Sequence, residues 1–221
     1  MKTLLPALSL MFVAFVTGVP ARAGELKGDA SNGAKKIALC VGCHGIKGYR
    51  ASFPEVYRVP MISGQGANYI VSALRAYKTG ERKHPTMRGV AAGLSEQDVA
   101  DVAAYYAAHG RLDGAPALGK APAGSARAAA LLEKGGCTAC HGESLSQPID
   151  PSYPRIAGQH ADYLFVVLKS YKTEGHTTWG RANPIMGGVV QQFSNAELKE
   201  LANYLGALPG EVKTVPQARF R

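Results

Sequence analysis

The stretch CVGCHG, residues 40–45, decides the fold of this chain, because it returns as CTACHG at residues 137–142. The two stretches together contain all 4 cysteines of the 221-residue sequence. A motif repeated in two similar segments indicates that one structural unit occurs twice. The chemistry of the motif therefore has to be explained for both copies together.

Four kinds of site use cysteines at this spacing. A redox-active dithiol of the thioredoxin type lies between a strand and a helix, and the surrounding sequence shows no strand alternation. A structural zinc ion needs four ligands, whereas the motif offers three, of which two are adjacent. A disulfide leaves the histidine without a role. Covalent haem explains every residue, since the two thiols add to the two vinyl groups and the histidine binds the iron.

The motif therefore predicts two covalently bound haem c groups, one in each copy. A haem would also give each small helical unit the bulky apolar centre that its own sequence lacks. The predicted anchors are Cys40, Cys43, Cys137 and Cys140, and the predicted proximal iron ligands are His44 and His141.

The repeat extends well beyond the motif. Residues 59–70 (VPMISGQGANYI) align with residues 153–164 (YPRIAGQHADYL), and residues 94–107 (LSEQDVADVAAYYA) align with residues 193–206 (FSNAELKELANYLG). The alignment offset grows between these blocks, because the second copy has an insertion around Trp179, the single tryptophan. Two domains of similar length follow from this pattern.

Four segments are predicted along the chain. They are a secretory signal peptide at residues 1–23, an N-terminal domain at 24–112, a linker at 113–126 and a C-terminal domain at 127–221. The signal peptide is indicated by Lys2, by a mostly apolar run and by a small-x-small cleavage signature. The alternative is a retained membrane anchor, which the short and interrupted run disfavours. The linker is indicated by its richness in Ala, Pro and Gly.

Each copy is typical of a helical domain, so we predict an all-α fold with little or no sheet. The first helix is expected in residues 31–39 (SNGAKKIAL), with Asp29 or Ser31 as its N-cap. Apolar residues on one helical face predict a middle helix over Tyr69 to Tyr77 and its counterpart over Tyr163 to Tyr171. The last helix of each copy is expected to begin at a capping box, Ser95 with Asp98 and Ser194 with Glu197.

The repeat also selects a second axial ligand for each iron. Met87 and Met186 occupy matching positions before the last helices, in residues 82–89 (RKHPTMRG) and 181–188 (RANPIMGG). Met61 faces an arginine in the other copy, which favours a packing role for it. A thioether ligand stabilises ferrous iron and leaves no open coordination position. We therefore predict Met87 and Met186 as axial ligands.

Other polar residues near the predicted sites have two interpretations each. His84 is the histidine nearest to the first of these methionines, but it does not repeat and is expected to be a loop residue. The carbonyl groups of Pro60 and Pro154 could accept the N–H of the proximal imidazole, although plain turn prolines explain them equally well. Arg82 and Arg181 either pair with haem propionates or are solvated charges.

The charge of the chain bears on its partners. The sequence has 25 basic and 16 acidic residues, a formal net charge of +9 at pH 7. The basic residues are dispersed and are not interleaved with an aromatic stripe, so nucleic-acid binding is not favoured. Moderate positive charge instead favours steering toward an acidic partner or peripheral association with an anionic membrane surface.

Taken with the motifs quoted above and with YKTGERKHPTM at residues 77–87, the sequence resembles the di-haem cytochrome c4 family. The resemblance covers nearly all of the chain after the predicted signal peptide. It implies an all-α fold of two tandem class I cytochrome c domains, each wrapped around one covalently bound haem. It also implies a periplasmic location and electron exchange with a respiratory donor and a terminal oxidase. The departures from this pattern are Met61 and the insertion around Trp179.

The predicted function is therefore electron transfer and not catalysis. Two His/Met-ligated haems would cycle between ferric and ferrous iron and pass electrons to a terminal respiratory oxidase. The alternative is an electron-accepting subunit of a dehydrogenase complex, for example with a flavoprotein. A catalytic di-haem enzyme, such as a peroxidase or a thiosulfate oxidiser, would need an exchangeable sixth ligand, and the paired methionines argue against it.

Overall fold

The computed structural model describes residues 26–111, 118–173 and 175–217. The predicted signal peptide and residues 113–117 of the predicted linker lie outside these ranges. The described chain is mainly helical, as predicted, and none of its helices is long and apolar enough to cross a membrane. The helices are α1 (Ala30–Gly33), α2 (Ala38–His44), α3 (Ala67–Thr79), α4 (Pro85–Ala92), α5 (Glu96–Ala108), α6 (Ala126–Gly135), α7 (Cys137–His141), α8 (Ala161–Ser170), α9 (Pro184–Gln191) and α10 (Asn195–Ala207), and the strands are β1 (Arg50–Ala51), β2 (Tyr57–Arg58), β3 (Arg82–Lys83) and β4 (Gly180–Arg181).

The last helix of each domain begins at its predicted capping box. Ser95 caps α5 and Ser194 caps α10, and in both boxes the hydroxyl and the acidic side chain satisfy each other's backbone N–H groups. The inner faces of these helices are fully buried, with Val99 and Leu198 each 0% exposed. In the first domain α5 packs against α1 and α3, and in the second α10 packs against α8 and α6. Equivalent helices therefore organise both cores.

The first predicted helix is divided into two pieces. Asp29 caps α1, because its carboxylate accepts the backbone N–H of Ser31 at 2.7 Å. The helix ends at Gly33, where an added Cβ would lie 2.1 Å from the carbonyl oxygen of Asp101. The chain then continues as α2, which carries the first CxxCH motif. In the second domain the middle helix, α8, begins two residues before Tyr163 and ends one residue before Tyr171.

A buried carboxylate fastens this N-terminal region to α5. Asp101 is 1% exposed. It accepts the backbone N–H of Asp29 at 2.9 Å, Lys36 Nζ at 2.9 Å and Gln97 Nε2 at 2.8 Å. These donors, with the Asp29 amide first among them, hold the pKa of the Asp101 carboxyl below its ordinary value. The carboxylate therefore stabilises the fold in its charged form.

A strand pair and an ion pair join the two domains. Strands β1 and β2 pair with each other in the first domain, whereas β3 pairs antiparallel with β4 of the second domain. This pairing places Arg82 opposite Arg181. At a second point Nε of Arg58 donates to the Asp162 carboxylate at 3.0 Å. Both contacts cross from one repeat to the other.

Residues 210–217, which follow α10, lie against the first domain, and we call them the strap. The backbone N–H of Lys213 donates to the carbonyl of Ser63 at 2.8 Å. At Gly64, where φ is +81°, an added Cβ would lie 2.4 Å from the carbonyl oxygen of Glu211. The strap therefore fits onto a turn of the first domain that has room only for glycine.

Candidate functional site

A continuous cavity of about 560 Å³ is lined by residues of both domains. It lies between the helices that carry the CxxCH motifs and the helices α4 and α9. These two helices carry the methionines at matching positions of the repeat. The structure brings all of the predicted anchors and ligands to this cavity, namely Cys40, Cys43, His44, Met87, Cys137, Cys140, His141 and Met186.

The two predicted proximal histidines are held in the same way. Nδ1 of His44 lies 2.8 Å from the carbonyl oxygen of Pro60, and Nδ1 of His141 lies 3.0 Å from that of Pro154. Because a carbonyl only accepts, Nδ1 carries the proton in each ring and Nε2 keeps its lone pair for a metal. Of the two interpretations of Pro60 and Pro154, the structure favours the one in which their carbonyls accept the imidazole N–H.

Burial also favours the neutral form of both imidazole rings. It lowers the pKa of His44 and of His141, against the raising effect of the hydrogen bond to the proline carbonyl. The rings are therefore neutral, which is the form of histidine that binds a metal.

The environment of the thiols disfavours the alternatives to haem. Burial raises the pKa of the Cys40 thiol to about 11 and also raises that of Cys137. A redox dithiol needs the opposite, a lowered thiol pKa. Within residues 26–111, 118–173 and 175–217, no three His, Cys, Asp or Glu side chains are grouped to hold a metal ion, whereas structural zinc needs four ligands.

Met87 and Met186 lie on the short helices α4 and α9, just before the last helix of each domain. Each helix begins with a proline, and its N-cap side chain accepts a hydrogen bond from the backbone N–H of the methionine. The acceptor is Nδ1 of His84 for Met87, at 3.4 Å, and Oδ1 of Asn183 for Met186, at 2.9 Å. The other ring nitrogen of His84, Nε2, lies 3.0 Å from the hydroxyl of Tyr57. His84 is therefore engaged at both nitrogens as the cap of α4.

Two partly buried arginines meet where the domains join. Arg82 donates to the hydroxyl of Tyr69 at 3.2 Å, and Arg181 donates to that of Tyr163 at 3.0 Å. Each guanidinium group also lies over a tyrosine ring, Arg82 over Tyr69 at 5.1 Å and Arg181 over Tyr171 at 5.5 Å. Both arginines line the cavity.

The two neighbouring guanidinium groups fit a bound ligand that carries carboxylate groups. The ion pairs of the described chain join other residues, and none of them gives either arginine a carboxylate partner. Like charges in a partly desolvated site favour an anion beside them. The thiols, the oriented imidazoles, the apolar cavity and the two cations together fit a haem in each domain.

Gln65 and Gln159 also belong to the site, although the sequence analysis did not single them out. They are 5% and 4% exposed. Each makes hydrogen bonds across the interface to the backbone just after the proline of the other domain, Pro154 or Pro60. The sequence feature that could have identified these two glutamines is the Gly-Gln pair that precedes the middle helix in both copies.

Known proteins similar to this chain include several named cytochrome c4. A family model described as cytochrome c matches residues 30–108 and again residues 125–209. The chain is 30% identical over 217 residues to a cytochrome c4 of Azotobacter vinelandii, with 90% of this chain and 97% of that protein covered. It is 30% identical over 185 residues to a thiosulfate dehydrogenase electron acceptor of Stutzerimonas stutzeri, with 80% of this chain and 81% of that protein covered.

The fold agrees with solved structures as well. The structure of reduced recombinant cytochrome c4 from Pseudomonas stutzeri matches with a TM-score of 0.57 and 29% identity, covering 82% of this chain and 100% of that one. These matches confirm the predicted tandem of two cytochrome c domains.

Proposed function

The chain belongs to the cytochrome c family and, within it, to the two-domain cytochrome c4 proteins, and from this premise we propose that it is a periplasmic electron carrier that serves a terminal respiratory oxidase. Two cytochrome c domains carry two covalently bound haem c groups. The iron of each haem takes up and releases one electron. The relatives are named as cytochromes and as an electron acceptor, which supports a carrier and not an enzyme.

We assign the anchors and ligands as the repeat predicts. The observation that carries this assignment is that each CxxCH histidine donates its Nδ1–H to a proline carbonyl, within the same cavity as the methionine in register with it. The proposed iron ligands are His44 with Met87 and His141 with Met186, and the proposed anchors are Cys40, Cys43, Cys137 and Cys140.

The side chains of the site favour electron transfer over catalysis. A methionine sulfur as sixth ligand raises the reduction potential relative to a second histidine and occupies the position that a substrate would need. The cavity that would hold the haems is lined largely by apolar residues. Arg82 and Arg181 would balance the propionate charges of the two haems where the domains meet.

The absorption spectrum of the ferric protein tests the ligand assignment. The wild type should show the far-red band of methionine-ligated ferric haem, and Met87→His and Met186→His should each remove part of it. Met61→Leu is the matched control, since Met61 also lines the cavity but is not in register with another methionine, and it should leave the band intact. A wild-type protein without the band, or one that readily binds cyanide at one haem, would contradict the assignment.

A second candidate function is favoured by the similarity to the thiosulfate dehydrogenase electron acceptor. In that case the protein would be the electron-accepting subunit of a dehydrogenase complex. Purification under low salt distinguishes the two functions. A carrier should be recovered free or loosely bound to membranes and should be reoxidised by membranes that contain the oxidase. A subunit should be recovered with a stoichiometric dehydrogenase partner.

A further inference from the structure

The two buried glutamines of the interface are bound reciprocally. Gln159 of the second domain pairs with the backbone of Met61 in the first, with Oε1 accepting the Met61 N–H at 3.0 Å and Nε2 donating to the Met61 carbonyl at 2.9 Å. Gln65 of the first domain pairs in the same way with Arg155 in the second, at 2.9 Å and 3.0 Å. Each glutamine thus bonds through both its amide oxygen and its amide nitrogen to one residue of the other domain.

The residue held by each glutamine belongs to the peptide that orients the proximal histidine. The N–H of Met61 and the carbonyl of Pro60 are the two ends of one peptide unit, which is planar and polarised as a whole. That carbonyl accepts the Nδ1–H of His44 at 2.8 Å. A chain of hydrogen bonds therefore runs from His44 through a single peptide group to Gln159. The mirror chain runs from His141 through the peptide of Pro154 and Arg155 to Gln65.

Hydrogen bonds in such a chain strengthen one another. When the peptide N–H donates to a glutamine oxygen, the carbonyl at its other end becomes a better acceptor. A better acceptor draws the imidazole Nδ1–H more strongly and makes the ring a more basic ligand. A more basic ligand stabilises ferric iron, and the reduction potential falls. Loss of the glutamine should act in the opposite direction.

We propose that Gln65 and Gln159 are positioning residues, each of which lowers the reduction potential of the haem in the other domain through the peptide that follows the proline. This inference rests on the proposed function, because it takes His44 and His141 as iron ligands. Its consequence is that neither haem is tuned by its own domain alone. The docking of the two domains becomes part of the ligand environment of both irons.

The glutamines also have a role inside their own domains, which sharpens the test. Oε1 of Gln65 accepts the backbone N–H of Gly66 at 2.9 Å, and Oε1 of Gln159 accepts that of His160 at 3.0 Å. These amides lie at the N-terminal ends of α3 and α8. A merely structural role would therefore disturb the domain that contains the glutamine. The relay instead predicts an effect on the opposite domain.

The test uses the haem-loaded full-length protein and the variants Gln65→Met and Gln159→Met, which nearly conserve side-chain volume. Redox titration should show an upward shift of one midpoint potential in each variant. The shifted haem is identified by following the NMR signal of its axial methionine, and it should be the first-domain haem for Gln159→Met and the second-domain haem for Gln65→Met. Gln97→Met removes glutamine hydrogen bonds far from both sites and should move neither potential.

Two further measurements keep the outcome clear. In Gln159→Met the amide hydrogen of Met61 should exchange with solvent about tenfold faster, as expected for a lost hydrogen bond, which tests the contact without reference to the haem. Gln159→Glu keeps an acceptor oxygen and should leave the first-domain potential at or below the wild-type value.

The possible results separate this inference from the function on which it rests. A shift in the glutamine's own domain, equal shifts in both domains, or no shift overturns the relay. If the wild-type spectrum shows ligands other than histidine and methionine, the proposed function itself is wrong, whatever the variants do.

Discussion

Replacement of Gly64 by alanine tests how the strap holds the two domains together. Gly64 has φ of +81°, and a Cβ at this position would meet the carbonyl oxygen of Glu211 at 2.4 Å. That oxygen is backbone, so it cannot move aside as a flexible side chain would. The strap must shift, and the nearby hydrogen bond from Lys213 to Ser63, 2.8 Å in length, must lengthen or break.

The magnitude is the sum of two effects. A non-glycine residue in the left-handed region costs about 1–2 kcal/mol. Loss of the strap hydrogen bond and displacement of the strap add about 1–2 kcal/mol. Gly80 separates the two effects, because its φ of +85° is nearly the same, while an added Cβ there would find nothing within 4 Å. Gly80→Ala should therefore show only the backbone cost.

The assay is thermal unfolding of the haem-loaded protein, followed by circular dichroism. Gly64→Ala should unfold about 2–8 °C below Gly80→Ala, since 1 kcal/mol corresponds to about 2–4 °C for a protein of this size. The absorption spectrum should stay the same in both variants, because neither glycine lies at a proposed ligand. If the two variants unfold at the same temperature, the contact with Glu211 does not constrain the strap and the reasoning is refuted.

Three further predictions concern the core, the acid response and the interface. Leu198→Ala removes a side chain that is 0% exposed and should cost about 2–5 kcal/mol in urea unfolding, whereas Ile149→Ala, at a side chain 72% exposed and outside the cavity lining, should stay within about 0.5 kcal/mol of the wild type. The lowered pKa of Asp101 stabilises the fold above the unfolded value of about 3.9 and ceases to do so as the pH falls through the folded value. Asp101→Asn should therefore be less stable than the wild type near neutral pH, with the two converging as urea unfolding is repeated at successively lower pH below the unfolded value of about 3.9. Asp162→Asn removes the negative charge and one of the two carboxylate oxygens that accept from the backbone N–H and Nε of Arg58, and it should cost about 0.5–1 kcal/mol at low ionic strength and less in 1 M salt.

The long helices could be predicted from the sequence because their signals are local. Ser95 and Ser194 start capping boxes that need only residues three positions apart, and both boxes are present in the structure. The proline carbonyls that accept the histidine N–H groups could also be suggested from the sequence, because the two copies of the repeat place a proline in register after each CxxCH motif. Duplication supplied the comparison that a single copy lacks.

The short helices and the interface could not be predicted in this way. The helices that carry Met87 and Met186 have eight residues each and contain glycine, so their periodicity is too brief to recognise. At Gly33, the last residue of α1, the backbone of α5 approaches closely, a contact between residues far apart in sequence. The reciprocal glutamines depend on the docking of the two domains, about which a single sequence contains no direct information. The ligand roles of the two methionines remain predictions.

The strap has a consequence for the order in which the protein is made. Residues 210–217 are translated after both CxxCH motifs, and N-terminal domains fold first during synthesis. The strap can therefore cover the turn at Gly64 only after the whole second domain has been synthesised. Among the described residues, the contacts of the strap are thus the last interdomain contacts for which both partners have been made.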